Sequence, residues 1–241
     1  MNKVLIFDIE TAGVQGLCAD RGFCVVFGYM WLGEKTAHAI TIKDFPGKDV
    51  HDDTQLLKRA VEIINQADGL VAHYGEKFDK PYLQARLLRA GLPPIANNKL
   101  TDTCLFARAH LKLSSNRLGN IADFLELPNR KMDKRGGWPT WWTQALRGDA
   151  KAIAAMADYC KKDVLCLRDI YLRLRHLIPT AHLPANEAIG EKIWACPSCG
   201  GFRKQDRGTY LTASRRFQRY QCMSCGRWDR SKKPIAVLAK A

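Results

Sequence analysis

No stretch of this 241-residue chain approaches the ~18 consecutive apolar residues needed to cross a bilayer, so a membrane span is not expected. A signal-peptide pattern is lacking too: the first apolar run is broken at once by Asp8 and Glu10. The expectation is a cytosolic protein. Internal repeats and low-complexity tracts are absent, which excludes solenoids and compositionally disordered chains. Acidic residues are scarce: 24 Asp and Glu stand against 38 Lys and Arg, for a net charge of +14. That imbalance points to a polyanionic partner, either nucleic acid or an anionic membrane surface. Hydrophobic content of 46% is ordinary, and the length suits one large domain or one domain plus a small module.

Along the chain, residues 3–9 read as a buried strand. "CVVFGYMWL" (24–32) and "TAHAITI" (36–42) read as two more, joined by a tight turn at "GEK", so an antiparallel meander is expected. Residues 53–68 carry Leu56, Leu57, Ala60, Val61 and Ile64 at helical spacing, with Asp52 or Asp53 available as N-cap. "LVAHY" (70–74) is a short strand. A helix follows that Asp79 can cap, with Pro81 in its first turn and Gly91 and Pro93 at its stop. "KLTDTC" supplies a fifth strand, and the pattern is then helical to about 177, interrupted by a loop at 128–140. Strands first, then strand–helix alternation, then helices, predict a mixed α/β layer domain over residues 1–178. Residues 179–190 read as a linker, 191–233 as a separate module and 234–241 as a tail. Residues 179–241 hold +8 of the +14 net charge.

Asp8 and Glu10 are spaced by two, so on a strand both carboxylates leave one face. Held that close they repel unless a cation lies between them. Asp8 also follows four apolar residues, where a carboxylate needs a partner. Asp79 lies in "HYGEKFDKPYL" at a strand-to-helix junction. Asp163 lies in "YCKKDV", four residues after Tyr159, so a helix places both on one face.

"FDIET", "HYGEKFDKPYL" and "YCKKDV", in this order over residues 1–177, resemble the three motifs of the DEDD (DnaQ-like) exonuclease superfamily. Tyr159 resembles the tyrosine subclass, close to stand-alone relatives of the family B DNA polymerase proofreading exonuclease. "KLTDT" and "SSNRLGNIADFLEL" are similar to the family's connecting elements. The resemblance implies a ribonuclease H-like fold, with a mixed five-stranded sheet whose first three strands are antiparallel, flanked by helices. It implies a 3′→5′ exonuclease with two Mg²⁺ or Mn²⁺ ions about 4 Å apart. Asp8, Glu10 and Asp163 would be direct ligands, Asp8 shared by both ions, with Asp79 acting at the second ion. Tyr159 would orient the attacking water. Hard oxygen ligands suit such ions. One departure stands out: the family usually has His-Asn-Gly where this chain has His73, Tyr74 and Gly75. Tyr74 either stacks on a base or packs, and His73 is read as ending a strand.

"RKMDKRGGWPTWWTQALRGD" (130–149) joins cations to aromatic faces, a combination suited to holding single strands. Trp138, beside two glycines and a proline, is the candidate stacking residue, and Lys131, Lys134 and Arg135 are candidate phosphate contacts. Trp141 and Trp142 are read as packing against the domain.

Of nine cysteines, Cys18, Cys24, Cys104, Cys160 and Cys166 are scattered and read as buried free thiols. Cys196/Cys199 and Cys222/Cys225 form two C-x2-C pairs with 22 residues between the inner cysteines, each pair followed by glycine. That pattern reads as one structural Zn²⁺ in an all-sulfur tetrahedral site, and resembles a zinc ribbon. "GTYLTAS" and "RRFQRYQC" would form its hairpin, with Arg215, Arg216, Phe217, Arg219 and Tyr220 as a nucleic-acid-binding surface. A protein-docking ribbon is the alternative. The expected partner is nucleic acid, DNA favoured over RNA, with single-stranded or frayed 3′ ends as substrate. A structure-selective endonuclease on the same site, or a non-catalytic nucleic-acid-binding or recruitment protein, remain the rival readings.

Overall fold

The apolar run at the N-terminus continues through the two acids to make β1 (Val4–Gly13). Along it Leu5, Phe7 and Ile9 take one face, while Val4, Ile6, Asp8 and Glu10 take the other. One face of a single strand thus passes from core into carboxylates. The computed structural model describes residues 3–15, 17–45, 49–96, 99–129, 140–178, 194, 196–231 and 233–237. They fall into two compact units, one of Lys3–Leu172 and one drawn mainly from Arg173–Ala241.

In the first unit β2 (Gly22–Trp31) pairs antiparallel with β1, and β3 (His38–Thr41) antiparallel with β2. The turn at "GEK" is closed by the Glu34 carboxylate, which accepts the Trp31 N–H at 2.9 Å. After α1 (Thr54–Ile64), β4 (Gly69–Ala72) pairs parallel with β1. After α2 (Asp79–Arg89), β5 (Lys99–Asp102) pairs parallel with β4. The strand order is β3-β2-β1-β4-β5. This is the expected mixed five-stranded sheet of ribonuclease H-like type. The helices α3 (Thr103–His110), α4 (Leu118–Phe124), α5 (Trp141–Ala145) and α6 (Ala150–Leu174) complete the α-helices among the described residues, and a 3-10 turn spans Ile42–Asp44. Leu5, Phe7 and Ile9 join Leu56, Leu57, Ala60, Val61 and Ile64 of α1 in one buried cluster.

Two expected caps take other roles. Asp52 accepts the Thr54 N–H at 3.0 Å. Asp53 sits at the N-cap position of α1, yet its carboxylate makes no capping bond. It is buried against Arg86 of α2, accepting from Nε at 3.0 Å and from a terminal guanidinium nitrogen at 2.7 Å, and it accepts the Cys24 N–H at 2.8 Å. One ion pair therefore ties α1, α2 and β2 together. Asp79 is the first residue of α2 and Phe78 occupies its N-cap position. The Asp79 carboxylate instead accepts the Ile9 N–H of β1 at 3.2 Å.

The second unit is built on β6 (Lys204–Leu211), β7 (Arg215–Cys222), β8 (Trp228–Arg230) and β9 (Ala236–Val237), ordered β6-β7-β8 with β9 also paired to β7. β6 and β7 form the expected hairpin. β9 lies within the stretch expected as a tail, so pairing extends past residue 233. The expected linker at 179–190 lies outside the described residues. Among those described, no helix is long and apolar enough to cross a membrane.

Candidate functional site

Asp8, Glu10, Tyr159 and Asp163 line one cavity of about 590 Å³ in the first unit, with His73, Phe78, Leu118 and Trp142 in its wall. β1 supplies the first two acids at i and i+2. α6 supplies Tyr159 and Asp163 at i and i+4, one helical turn apart. Glu10, Tyr159 and Asp163 are buried.

The close approach of α6 to the sheet depends on a glycine. Gly28 of β2 is directly opposite Asp8 of β1. A Cβ at Gly28 would lie 2.5 Å from Cys160 Sγ and 3.3 Å from Val164 Cγ2, so the helix occupies the space a side chain would fill. The Cys160 thiol donates to the Asp8 carbonyl at 3.6 Å. Ligand atoms of Asp8, Glu10 and Cys160 lie within 4.8 Å of one another. Burial pushes the Cys160 thiol well above its ordinary range, and the charges of Asp8, Glu10 and Asp163 push it further. A thiol held protonated is a poor metal ligand, so the hard oxygens of Asp8 and Glu10 are the donors this cluster offers.

Asp79 does not line the cavity, but it touches the strand that does, through Ile9 N–H. Burial raises its carboxyl well above the usual carboxylate range, and the charge of Asp8 raises it further. Two acids that disfavour each other's ionisation fit a site whose charge is balanced by divalent cations. The structure therefore gathers Asp8, Glu10, Asp163 and Tyr159 at one cavity, with Asp79 beside it.

The second-motif loop is held from β5. Asp102 caps α3 by accepting from the N–H groups of Cys104 and Leu105, and it also accepts from those of Tyr74 at 3.0 Å and Glu76 at 3.1 Å. Tyr74 has φ of 69°, in the left-handed region that asparagine tolerates and tyrosine disfavours. Its ring is 39% exposed, with the Arg108 guanidinium 5.0 Å from the ring centre. His73, expected to end the strand, lies one residue beyond β4. Its Nε2 donates to the Asn116 carbonyl at 3.0 Å, and its Nδ1 is hydrogen-bonded to the Thr103 hydroxyl at 2.9 Å.

Trp142, read from the sequence as packing, packs and also lines the cavity, meeting the Tyr159 ring edge-on at 5.8 Å and 81°. Gly28, Cys160, Asp102 and Trp142 all escaped sequence reasoning as site residues. Only Asp102 carried a local signal, an acid just before a helix. Lys131, Lys134, Arg135 and Trp138 lie outside the described residues. Cys18 is exposed rather than buried, since its turn lies outside the sheet.

In the second unit Cys196, Cys199, Cys222 and Cys225 converge, with all four sulfurs within 4.8 Å of one another. Cys196 Sγ is 3.7 Å from Cys225 Sγ, and Cys199 Sγ is 3.6 Å from Cys222 Sγ. A tetrahedral zinc with Zn–S of ~2.3 Å places its sulfurs ~3.8 Å apart, so the set fits that ion. Backbone N–H groups of Ser198, Gly201 and Ser224 each donate to a cysteine sulfur at 3.4 Å. Gly200 and Gly226, with φ of 73° and 75°, make the turns that allow this. Burial raises the Cys222 thiol, but hydrogen bonds from the Cys225 and Ser224 backbone and from the Cys199 and Cys196 thiols outweigh it and bring the group down to about 7, whereas burial pushes the neighbouring Cys196 up to about 12. Arg215, Phe217 and Arg219 alternate along β7 with Arg216 and Tyr220, so the expected binding residues occupy opposite faces of the sheet.

The chain is similar in sequence to parts of known DNA polymerases. A DNA polymerase of Thermococcus aggregans is 34% identical over 95 residues, covering 37% of this chain and 5% of the polymerase. A DNA polymerase of Thermococcus litoralis is 33% identical over 95 residues, covering 37% and 6%. A DNA polymerase III PolC-type of Ureaplasma parvum serovar 3 is 29% identical over 143 residues, covering 51% and 10%. The chain thus spans a tenth or less of these relatives. A family model described as the RNase H superfamily matches residues 5–175, and the chain belongs to that superfamily.

Proposed function

We propose that this chain is a metal-dependent 3′→5′ exonuclease of the DEDD tyrosine subclass, acting on DNA, whose cysteine module binds zinc and aids nucleic-acid capture. Superfamily membership supports a nuclease in general, and the similarity to DNA polymerases favours DNA. The observation that carries the narrower reading is the convergence of Asp8, Glu10, Asp163 and Tyr159 on one cavity.

Asp8, Glu10 and Asp163 would hold divalent cations, with Asp79 assisting. When bound, such ions supply Lewis-acid activation of water and stabilise the leaving oxygen. The chain's own residues do the rest. Tyr159, which lines the same cavity as the carboxylates, would orient the attacking water, with Trp142 packed edge-on against its ring. Asp79 fixes the β1 backbone at Ile9, between the two acids of that strand. Gly28 lets α6 approach closely enough to bring Asp163 to the same cavity.

The test is hydrolysis of a 5′-labelled single strand with Mg²⁺, resolved as a ladder, on matched single- and double-stranded DNA and RNA. Stepwise shortening from the 3′ end supports the proposal. Internal cuts would indicate an endonuclease on the same carboxylates, and no product would indicate a binding protein.

A further inference from the structure

The β6-β7-β8 sheet has two chemically different faces. In antiparallel pairs, residues directly opposite share a face. Phe217 is opposite Tyr210, Arg219 opposite Arg230, and Gln221 opposite Trp228. Arg207 joins this face by donating from Nε to Gln221 Oε1 at 3.1 Å, and alternation adds Arg215. The face therefore carries Arg207, Arg215, Arg219 and Arg230, with no carboxylate among the described residues. The other face pairs Asp206 and Asp229 with Tyr220, and Lys204 with the zinc-site Cys222, so its charges are mixed.

On the basic face the cations and rings interleave. Arg219 lies 4.8 Å from the Trp228 ring centre. Arg230 lies 4.0 Å from Phe217 and 5.1 Å from Tyr210. Phe217 is buried beneath, whereas Trp228 is 51% and Tyr210 45% exposed. Large rings left half open beside guanidinium groups offer stacking surfaces and phosphate contacts together. A protein partner chosen for charge alone would not require the rings, and duplex DNA conceals the base faces they would meet.

We infer that this sheet face, carrying Arg207, Tyr210, Arg219, Trp228 and Arg230, is a binding platform for single-stranded DNA, whose bases stack on Trp228 and Tyr210 while its phosphates meet the arginines. The choice of DNA rests on the function proposed above; the single-strand assignment rests on the face itself.

The test is fluorescence anisotropy of a labelled oligo-dT with the full chain in Mg²⁺-free buffer, so that binding is read without hydrolysis. A failed nuclease assay therefore leaves this result standing, and the reverse also holds. Trp228→Ala and Tyr210→Ala should each weaken oligo-dT about 5- to 100-fold while changing duplex binding less than about twofold. Arg219→Ala should also flatten the salt dependence, by about 0.7 in slope. Lys204→Ala removes one charge from the opposite face and should stay within about twofold of wild type. Zinc content and melting temperature establish that each variant is folded; if an alanine variant loses zinc, Trp228→Leu and Tyr210→Leu replace it. Equal losses from Lys204→Ala and Trp228→Ala, or equal losses on single strand and duplex, overturn the assignment. Tight oligo-rU binding without oligo-dT binding overturns the choice of DNA.

Discussion

Gly28 and Cys160 occupy adjoining space: a Cβ at position 28 would lie 2.5 Å from the Cys160 sulfur. The strand residue directly across from Gly28 is Asp8, so the clash falls where α6 meets the acidic end of β1. Gly28→Ala should destabilise the chain by about 1–3 kcal/mol and lower kcat, because overpacking shifts the helix that bears Tyr159 and Asp163. Adding Cys160→Ala should restore part of both, the remainder being the contact with Val164. Urea unfolding with parallel kinetics reads this. No recovery in the double variant would show that the glycine matters for another reason.

Tyr159→Phe retains the ring that Trp142 packs against and removes only the hydroxyl. On the proposed mechanism, kcat should fall on the order of 10- to 10³-fold with little change in KM, the range below a full general acid–base contribution. Trp142→Ala leaves the hydroxyl and loosens its orientation, so a smaller fall is expected. Saturating-substrate kinetics distinguish them. An unchanged kcat in Tyr159→Phe removes the hydroxyl from the mechanism.

The buried pair of Arg86 and Asp53 holds two helices to β2. Arg86→Met leaves Asp53 charged and buried, and should cost about 3–5 kcal/mol. Asp53→Asn with Arg86→Met should cost less, since no uncompensated charge remains. Chemical denaturation of the single and double variants provides the measurement, and equal losses would contradict the pairing.

Tyr74 sits at φ of 69° in the second-motif loop. Tyr74→Asn should raise stability by about 1 kcal/mol, because the left-handed conformation is strained for tyrosine and tolerated by asparagine. Loss of the Arg108 contact with the ring offsets part of that gain. A lower midpoint in urea would show that the contact outweighs the strain.

What was legible in the sequence was periodic. Asp8 with Glu10, and Tyr159 with Asp163, follow from the repeats of strand and helix, and the cysteine pairs from their spacing. What was not legible depends on distant apposition. Asp53 reads locally as a cap and is instead bound to Arg86, 33 residues away in sequence. Asp79 also reads as a cap and instead meets Ile9, at a separation of 70. Gly28 has no local signature of helix contact at all. In the second unit, period-two alternation along β7 separates Arg219 and Phe217 from Arg216 and Tyr220, and only the partner strands show which face carries the arginines and rings.

The most direct measurement of the central claim is Mn²⁺ uptake, read from the free-ion paramagnetic signal, in wild type and Asp8→Ala alongside hydrolysis of a 5′-labelled single strand. The account predicts about two Mn²⁺ per wild-type chain, loss of that uptake in Asp8→Ala, and loss of hydrolysis with it. The metal-free variant should be at least as stable as wild type, because a repelling carboxylate has gone. Asp8→Ala that retains both ions, or that shortens the strand at the wild-type rate, would contradict the account.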